Sequence, residues 1–413
     1  GQGMAALAEL LVAQGKRITG SDTREPFSTD AVLKNLGIHV DIFQKKNITQ
    51  SIDLVVRSSA YGDRHPEIAA ARHFGIPIMD YADAVAEIFN GKRGILVTGT
   101  HGKTTTTALV GCLLEDAGYD PSVLVGATVG RWEKNARAGK GEWMVAEGDE
   151  YQNKFLKLKP EILIVTSIEY DHPDFFRTKK QYEDAFRKLV NGLPAEGLLI
   201  AERKLKKYFK KNPCKAAWYG IASKQEGRHM ELNKNAALLV AQHLGISAKT
   251  AQKSLNGYTG TSRRMEFYTS ASARAVAIDD YAHHPTEIRT TLAAVRRQYP
   301  KRVITAVFQP HTYSRTHQFM ADFAKAFTHA DEVILLPIYS SARERKEDFP
   351  ADMLDQLQGG IMRAKKKTPV HILSFPEAIA YAKRLPAVSK KRVIITLGAG
   401  DGWKIAKALA KGL

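Results

Sequence analysis

At 413 residues the chain is too long for one hydrophobic core, and about two to three domains are expected. Hydrophobic residues make up 44%, ample for packed interiors, while no apolar run reaches the roughly eighteen residues of a membrane span and no signal-like amino terminus is seen, which favours a soluble cytoplasmic protein. Two cysteines, Cys112 and Cys214, are too few for a disulfide framework, and the formal charge of +18 lies in runs such as 204–215 and 363–367 that largely lack interleaved aromatic platforms, so polyanionic small substrates fit better than nucleic acid.

Gly1-Gln-Gly3 opens onto a helical apolar stripe over 4–14, followed by a short strand over 17–22 that ends in Asp22. Glycines at a helix start with an acid about twenty residues later form the nucleotide-binding βαβ plan, in which the diphosphate sits on the helix end and the acid near a ribose. That plan also needs an apolar strand before its glycines, so further residues upstream of Gly1 are expected, and without them the first helix lacks a packing partner. Strands over 54–56 and 76–79 flank a helix over 66–74, and a domain of residues 1–90 hands over through a linker at 90–94.

The segment 91–258 opens on Gly94-Ile-Leu-Val-Thr-Gly99-Thr-His-Gly102-Lys103-Thr104-Thr-Thr-Thr107, a strand that breaks into a glycine turn and restarts as a helix. Gly99 and Gly102 let the backbone approach an anion, amides at the helix start point at it, and Lys103 and the Thr104 hydroxyl suit outer phosphates and a Mg²⁺. The strict P-loop spacing fails at Val97, but four successive threonines, poor helix formers, are a costly choice for a mere structural turn. Strands over 143–147 and 162–167 deliver Glu147, then Glu169, Asp171 and His172, at the end of an α/β sheet where ligand and metal bind. Gly227-Arg-His229 leads a helix to residue 244, with His229 and Asn233 on one side of it, placed to hold a base edge or to cap the helix.

From about residue 260 strands over 275–279, 303–308, 332–337, 370–374 and 393–397 alternate with helices over 285–298, 317–327, 351–357, 376–385 and 402–413, which predicts a doubly wound parallel sheet in a domain of 259–413. Polar residues collect at three strand ends: Asp279 to Glu287, Gln309 to Thr316, and Gly398 to Asp401. Their density exceeds what folding needs. The adjacent pair His283 and His284 lacks the spacing of a helical metal site.

Taken together, Gly99-Thr-His-Gly-Lys-Thr-Thr-Thr106, Glu147-Gly-Asp-Glu150, Ile168-Glu-Tyr-Asp-His172, Gly227-Arg-His229 with Asn233, Asp279-Asp-Tyr-Ala-His-His-Pro-Thr-Glu287 and Phe308-Gln-Pro-His-Thr-Tyr-Ser-Arg-Thr316 resemble the Mur ligase family, in order and over the whole chain. The resemblance implies three α/β domains: Rossmann-like for a UDP-sugar, P-loop-type for ATP, and doubly wound at the carboxyl end. It implies ligation of L-alanine to UDP-N-acetylmuramate in cell-wall peptidoglycan synthesis, with attachment of a whole tripeptide, or non-catalytic nucleotide binding, as the alternatives. By position, Gly99, Thr100, His101, Gly102, Lys103, Thr104, Thr105, His229, Asn233, Arg264 and Asp280 would bind ATP. Thr104 and Glu147 would hold a first Mg²⁺ and His172 a second. Gly3 and Asp22 would meet the UDP-sugar, while Tyr281, His283 and Arg315 line the place where alanine meets the activated carboxylate. Lys103, Glu147, His172, His283 and Arg315 would carry the chemistry. Ser167 and Thr312 stand where many members have asparagine and arginine. The resemblance does not fix the oligomeric state.

Overall fold

The computed structural model describes residues 1–23, 29–221, 226–269, 275–340, 344–366, 368–385 and 391–410. They form two compact units, one of Gly1–Ile168, Glu183–Gly220 and Asn233–Thr259, the other of Glu169–Tyr182, Ile221–Leu232 and Gly260–Leu413.

In the first unit, helix α1 (Gln2–Ala13), strand β1 (Gly20–Asp22), helix α2 (Asp30–Asn35) and strand β2 (Val40–Ile42) form one parallel pair with its helices. Strand β3 (Val55–Arg57), helix α3 (Pro66–His73) and strand β4 (Ile78–Asp80) form a second pair, and helix α4 (Tyr81–Asn90) follows. Proline opens α3 because its missing N–H would be unsatisfied there anyway, and the His65 side chain accepts from the Glu67 amide to cap it. The expected linker is shorter than 90–94: α4 runs to Asn90 and only two residues separate it from strand β5 (Arg93–Thr98), with Phe89 fully buried. Helix α1 also departs from expectation. It lies against α4 and the strands β6 (Ser122–Val129) and β7 (Lys134–Arg137), burying Ala5 through Ala8 and Leu10, so its apolar stripe finds a partner within the described chain.

Between β5 and β6 runs helix α5 (Lys103–Asp116); strand β8 (Trp143–Glu147), strand β9 (Ile162–Val165), helix α6 (Lys179–Asn191), strand β10 (Leu198–Glu202), strand β11 (Lys215–Tyr219), helix α7 (His229–His243) and helix α8 (Ala248–Asn256) follow. The sheet order is β11-β10-β9-β5-β8-β6-β7, parallel except where β7 meets β6. Strand β5 lies at its centre; the chain runs from β5 to β6 on one side, and from its neighbour β8 back across it to β9 on the other. Such a reversal opens a crevice beyond the carboxyl ends of the strands, where an open α/β sheet binds its ligand. Burial on both faces explains the unbroken apolar runs Ile95–Val97 and Ile162–Val165, all fully buried.

The second unit holds strand β12 (Glu266–Phe267), strand β13 (Ala275–Asp280), helix α9 (Pro285–Gln298), strand β14 (Val303–Phe308), helices α10 (Tyr313–Gln318) and α11 (Met320–Ala326), strand β15 (Glu332–Leu335), helix α12 (Met353–Ala364), strand β16 (Val370–Ile372), helix α13 (Phe375–Arg384), strand β17 (Arg392–Leu397) and helix α14 (Trp403–Ala410). Its order is β12-β13-β17-β14-β15-β16. The doubly wound sheet is present, with one correction: β12 pairs antiparallel on the edge. Along β13 the side chains alternate, Val276 and Ile278 joining Leu292 and Phe323 on one face while Ala277 joins Ala378 and Ile405 on the other. The helix expected over 317–327 starts earlier, at Tyr313, where Thr312 caps it, and breaks at Phe319. The end of the helix expected over 402–413 lies outside the described residues. Strand β17 sits between β13 and β14, with Asp280, Leu397 and Phe308 in register. That register brings the three polar loops to one sheet end.

Candidate active site

Residues 99–102 form the turn between β5 and α5. Gly99 (φ 131°) is pressed so closely on the chain after β9 that a Cβ would lie 2.3 Å from Thr166 Oγ1, and Gly102 (φ 81°) would place one 2.7 Å from Asn233 Oδ1. Both positions exclude a side chain, by close approach and by left-handed backbone. The Ser167 hydroxyl accepts from the His101 amide at 2.8 Å, and Thr166 Oγ1 donates to the His101 carbonyl at 2.5 Å. The turn is thus held by the end of β9 and by buried Asn233 of α7.

Lys103 is drawn into this turn. Its Nζ donates to the Gly99 carbonyl at 2.6 Å and lies 3.0 Å from Glu150 Oε2. Burial alone would lower its pKa, but Glu150, with Glu147 and Asp149 behind it, raises it instead and keeps the ammonium charged. Next to it, Thr104 Oγ1 donates to Glu147 Oε1 at 2.9 Å, while Glu147 Oε2 accepts from the Gly126 amide at 2.7 Å. Register explains the meeting: Val97 of β5 stands opposite Glu147, the last residue of β8, so the carboxylate emerges beside the start of α5. A hydroxyl and a carboxylate converging beside a buried cation suit a hard, oxygen-seeking metal.

In the second unit, Arg315 of α10 is 5% exposed and forms a two-pronged pair with Asp171, Nε to Oδ1 at 2.9 Å and Nη2 to Oδ2 at 3.2 Å. Burial would raise the Asp171 pKa, yet the Arg315 charge, with His172 and His284 adding to it, holds this carboxyl well below its ordinary value. Nη1 of Arg315 turns to His311 Nδ1 at 3.2 Å, and the His311 ring stands 6.0 Å from that of His283 and stacks on Tyr339. Burial pushes the pKa of His283 down to about 3 and that of His311 down to about 4, so both imidazoles are neutral at physiological pH. Tyr281 is flanked by the guanidinium groups of Arg263 and Arg264, 5.0 and 5.1 Å from its ring centre. Buried Asp280 accepts from the amides of Met265 and Ala282 at 2.8 and 2.9 Å, and burial raises its pKa; it faces His229, whose pKa burial lowers.

Residues 1–93 match the Mur ligase family catalytic domain, 97–255 the Mur ligase middle domain and 263–400 the Mur ligase glutamate ligase domain. The chain is 36% identical over 450 aligned residues to the UDP-N-acetylmuramate–L-alanine ligase of Desulfitobacterium hafniense, covering 99% of this chain and 97% of that one. The chain belongs to the Mur ligase family. Its fold is shared with the UDP-N-acetylmuramate–alanine ligase from Thermotoga maritima (TM-score 0.79, 24% identity, 100% and 96% of the two chains) and with a murein peptide ligase from Psychrobacter arcticus (TM-score 0.71, 21% identity, 100% and 96%).

Among the residues expected at a Mur ligase site, Gly99 to Thr105, Glu147 and Asn233 fall around the β5–α5 turn of the first unit. His172, His229, Arg264, Asp280, Tyr281, His283 and Arg315 fall in the second. Gly3 lies in the first turn of α1, and Asp22 ends β1 with its Oδ1 accepting from the Thr23 amide at 2.8 Å. Two contacts were not expected. Glu150 and Asp171 were visible beside motif residues, but neither was assigned a role; each pairs with a cation the sequence singled out. The only signal was their adjacency to Glu147 and His172.

Proposed function

We propose that this Mur ligase joins L-alanine to the lactyl carboxylate of UDP-N-acetylmuramate, splitting ATP to ADP and phosphate. The observation that carries the reading is the full-length likeness, at 36% identity, to a relative bearing that activity in its name. A carboxylate oxygen is too poor a leaving group to be displaced directly, so it first attacks the γ-phosphorus and ADP departs. The neutral amine of alanine then adds to the acyl phosphate, loses a proton, and expels phosphate.

Both steps gather negative charge on oxygens. Lys103 is the cation poised for it, and the Gly102 turn aims the amides at the start of α5 toward the same place. Thr104 and Glu147 would hold a first Mg²⁺, since their oxygens already converge at 2.9 Å, and His172 a second. The ion supplies charge neutralisation at the phosphates. Arg315, fixed by Asp171, would meet the carboxylate of alanine through Nη1 by giving up its contacts with His311, while His283 and Tyr281 line the amine's approach.

The reading is tested by phosphate release from ATP with UDP-N-acetylmuramate and either L-alanine or the tripeptide. Turnover with L-alanine is expected; release only with the tripeptide, or with neither, overturns it. The metal assignment has its own check: Glu147→Gln and His172→Ala should both slow turnover with unchanged thermal stability, and the defects should shrink as Mg²⁺ is raised. Losses that ignore Mg²⁺ and track a lowered unfolding temperature would make the two residues structural.

A further inference from the structure

A cleft of about 220 Å³ opens in the first unit between the glycine turn of α1 and the end of β8. Gln2 and Gly3 line it together with Tyr81, Asn135, Glu147 and Asp149. Tyr81 starts α4, and its ring lies so close to Gly3 that a Cβ there would meet the phenol oxygen and ring at 3.0 Å. Asn135 Nδ2 donates to the Gln2 carbonyl at 3.2 Å and to the Val125 carbonyl at 3.4 Å, which ties the glycine turn to the strands of the central sheet. The phenol pKa is pushed up to about 12 by burial, with Asp149 and then Glu147 adding to it, so the hydroxyl stays protonated. No described residue supplies it with a hydrogen-bond acceptor.

The proposed substrate has to span this interval. Its diphosphate belongs at Gly3 and its lactyl carboxylate beside the phosphates held near Thr104 and Glu147, so the N-acetylmuramoyl group between them must occupy the cleft. We infer that Tyr81 is a substrate-positioning residue whose hydroxyl donates a hydrogen bond to an oxygen of the N-acetylmuramoyl group. The inference rests on UDP-N-acetylmuramate being the substrate. A donor suits an oxygen-rich sugar here, and the ring wall of Tyr81 with Val85 and Leu124 offers an apolar side for a sugar face, while the cleft's other charged groups include Asp149 paired with Lys154 at 3.0 Å.

Removing one hydrogen bond to a bound ligand costs on the order of a tenfold loss of affinity. Calorimetry on wild type and Tyr81→Phe, with UDP and UDP-N-acetylmuramate as separate titrants, tests the assignment, together with KM values for UDP-N-acetylmuramate and ATP. The variant should bind UDP as wild type does, bind the sugar nucleotide about tenfold more weakly, and show the same split between the two KM values. UDP serves as the folding control, because it reaches the glycine turn but not the cleft. Unchanged affinity for UDP-N-acetylmuramate, or equal losses for UDP and for the sugar nucleotide, would overturn the role of Tyr81. Wild-type protein that binds UDP but not UDP-N-acetylmuramate would instead overturn the substrate reading.

Discussion

Lys103→Ala is expected to lower kcat by about a hundredfold or more, the usual effect of removing one preorganised group from the place where charge develops in a transition state. The ammonium is already fixed by the Gly99 carbonyl and Glu150, and the neighbouring carboxylates keep it charged. To meet a phosphate oxygen it would exchange one of these contacts, since two loop carbonyls and a carboxylate already take its three protons. Lys103→Arg should recover little, because a planar fork does not fit a niche where one nitrogen meets two loop carbonyls and a carboxylate. Steady-state phosphate release, read beside thermal unfolding, is the measurement. A loss below about tenfold in an intact fold would mean that the lysine serves the turn and not the reaction.

Asp171→Asn should strongly destabilise the second unit. It leaves the Arg315 guanidinium buried with its carboxylate partner gone, and breaking a buried pair from one side costs about 3–5 kcal/mol. For a unit of this size that corresponds to a fall of roughly 6–20 °C in unfolding midpoint. The pH dependence follows from the direction of the Asp171 shift. Its folded-state pKa is depressed, so its contribution is fully present above the unfolded carboxyl value of about 3.9 and disappears as pH falls below that through the folded value. The gap between wild type and variant should thus be constant at neutral pH and close only in strong acid. A gap that closes between pH 5 and 7 would point to a histidine as the group responsible.

Much of this molecule was legible in its residues. Apolar runs bounded by glycine, proline and acids located β5, β8, β9, β13, β14 and β17, because a strand buried on both faces must be apolar throughout, and Pro285 with Glu287 marked the start of α9 to the residue. The phosphate turn was readable because only glycine tolerates the backbone at 99 and 102, and the family resemblance rested on strings of such residues. The sequence also determined that Thr104, Glu147, His172 and Arg315 stand at strand ends or helix starts.

What it did not determine were the pairings made through space. Strand order depends on which edges meet, and nothing local shows that β17 inserts between β13 and β14 or that β12 turns back antiparallel. The partners of α1 lie more than a hundred residues away, on β6 and β7, and only folding makes them neighbours. Arg315 and Asp171 are 144 positions apart, and a fork suited to any carboxylate does not reveal in sequence that a protein carboxylate already holds two of its nitrogens. Tyr81 reads as an ordinary helix-start aromatic until the fold lays it against Gly3 and beside Glu147. Local chemistry specifies the element and the type of group it presents; the distance between two such groups is fixed by packing over the whole unit, and only the tertiary structure contains it.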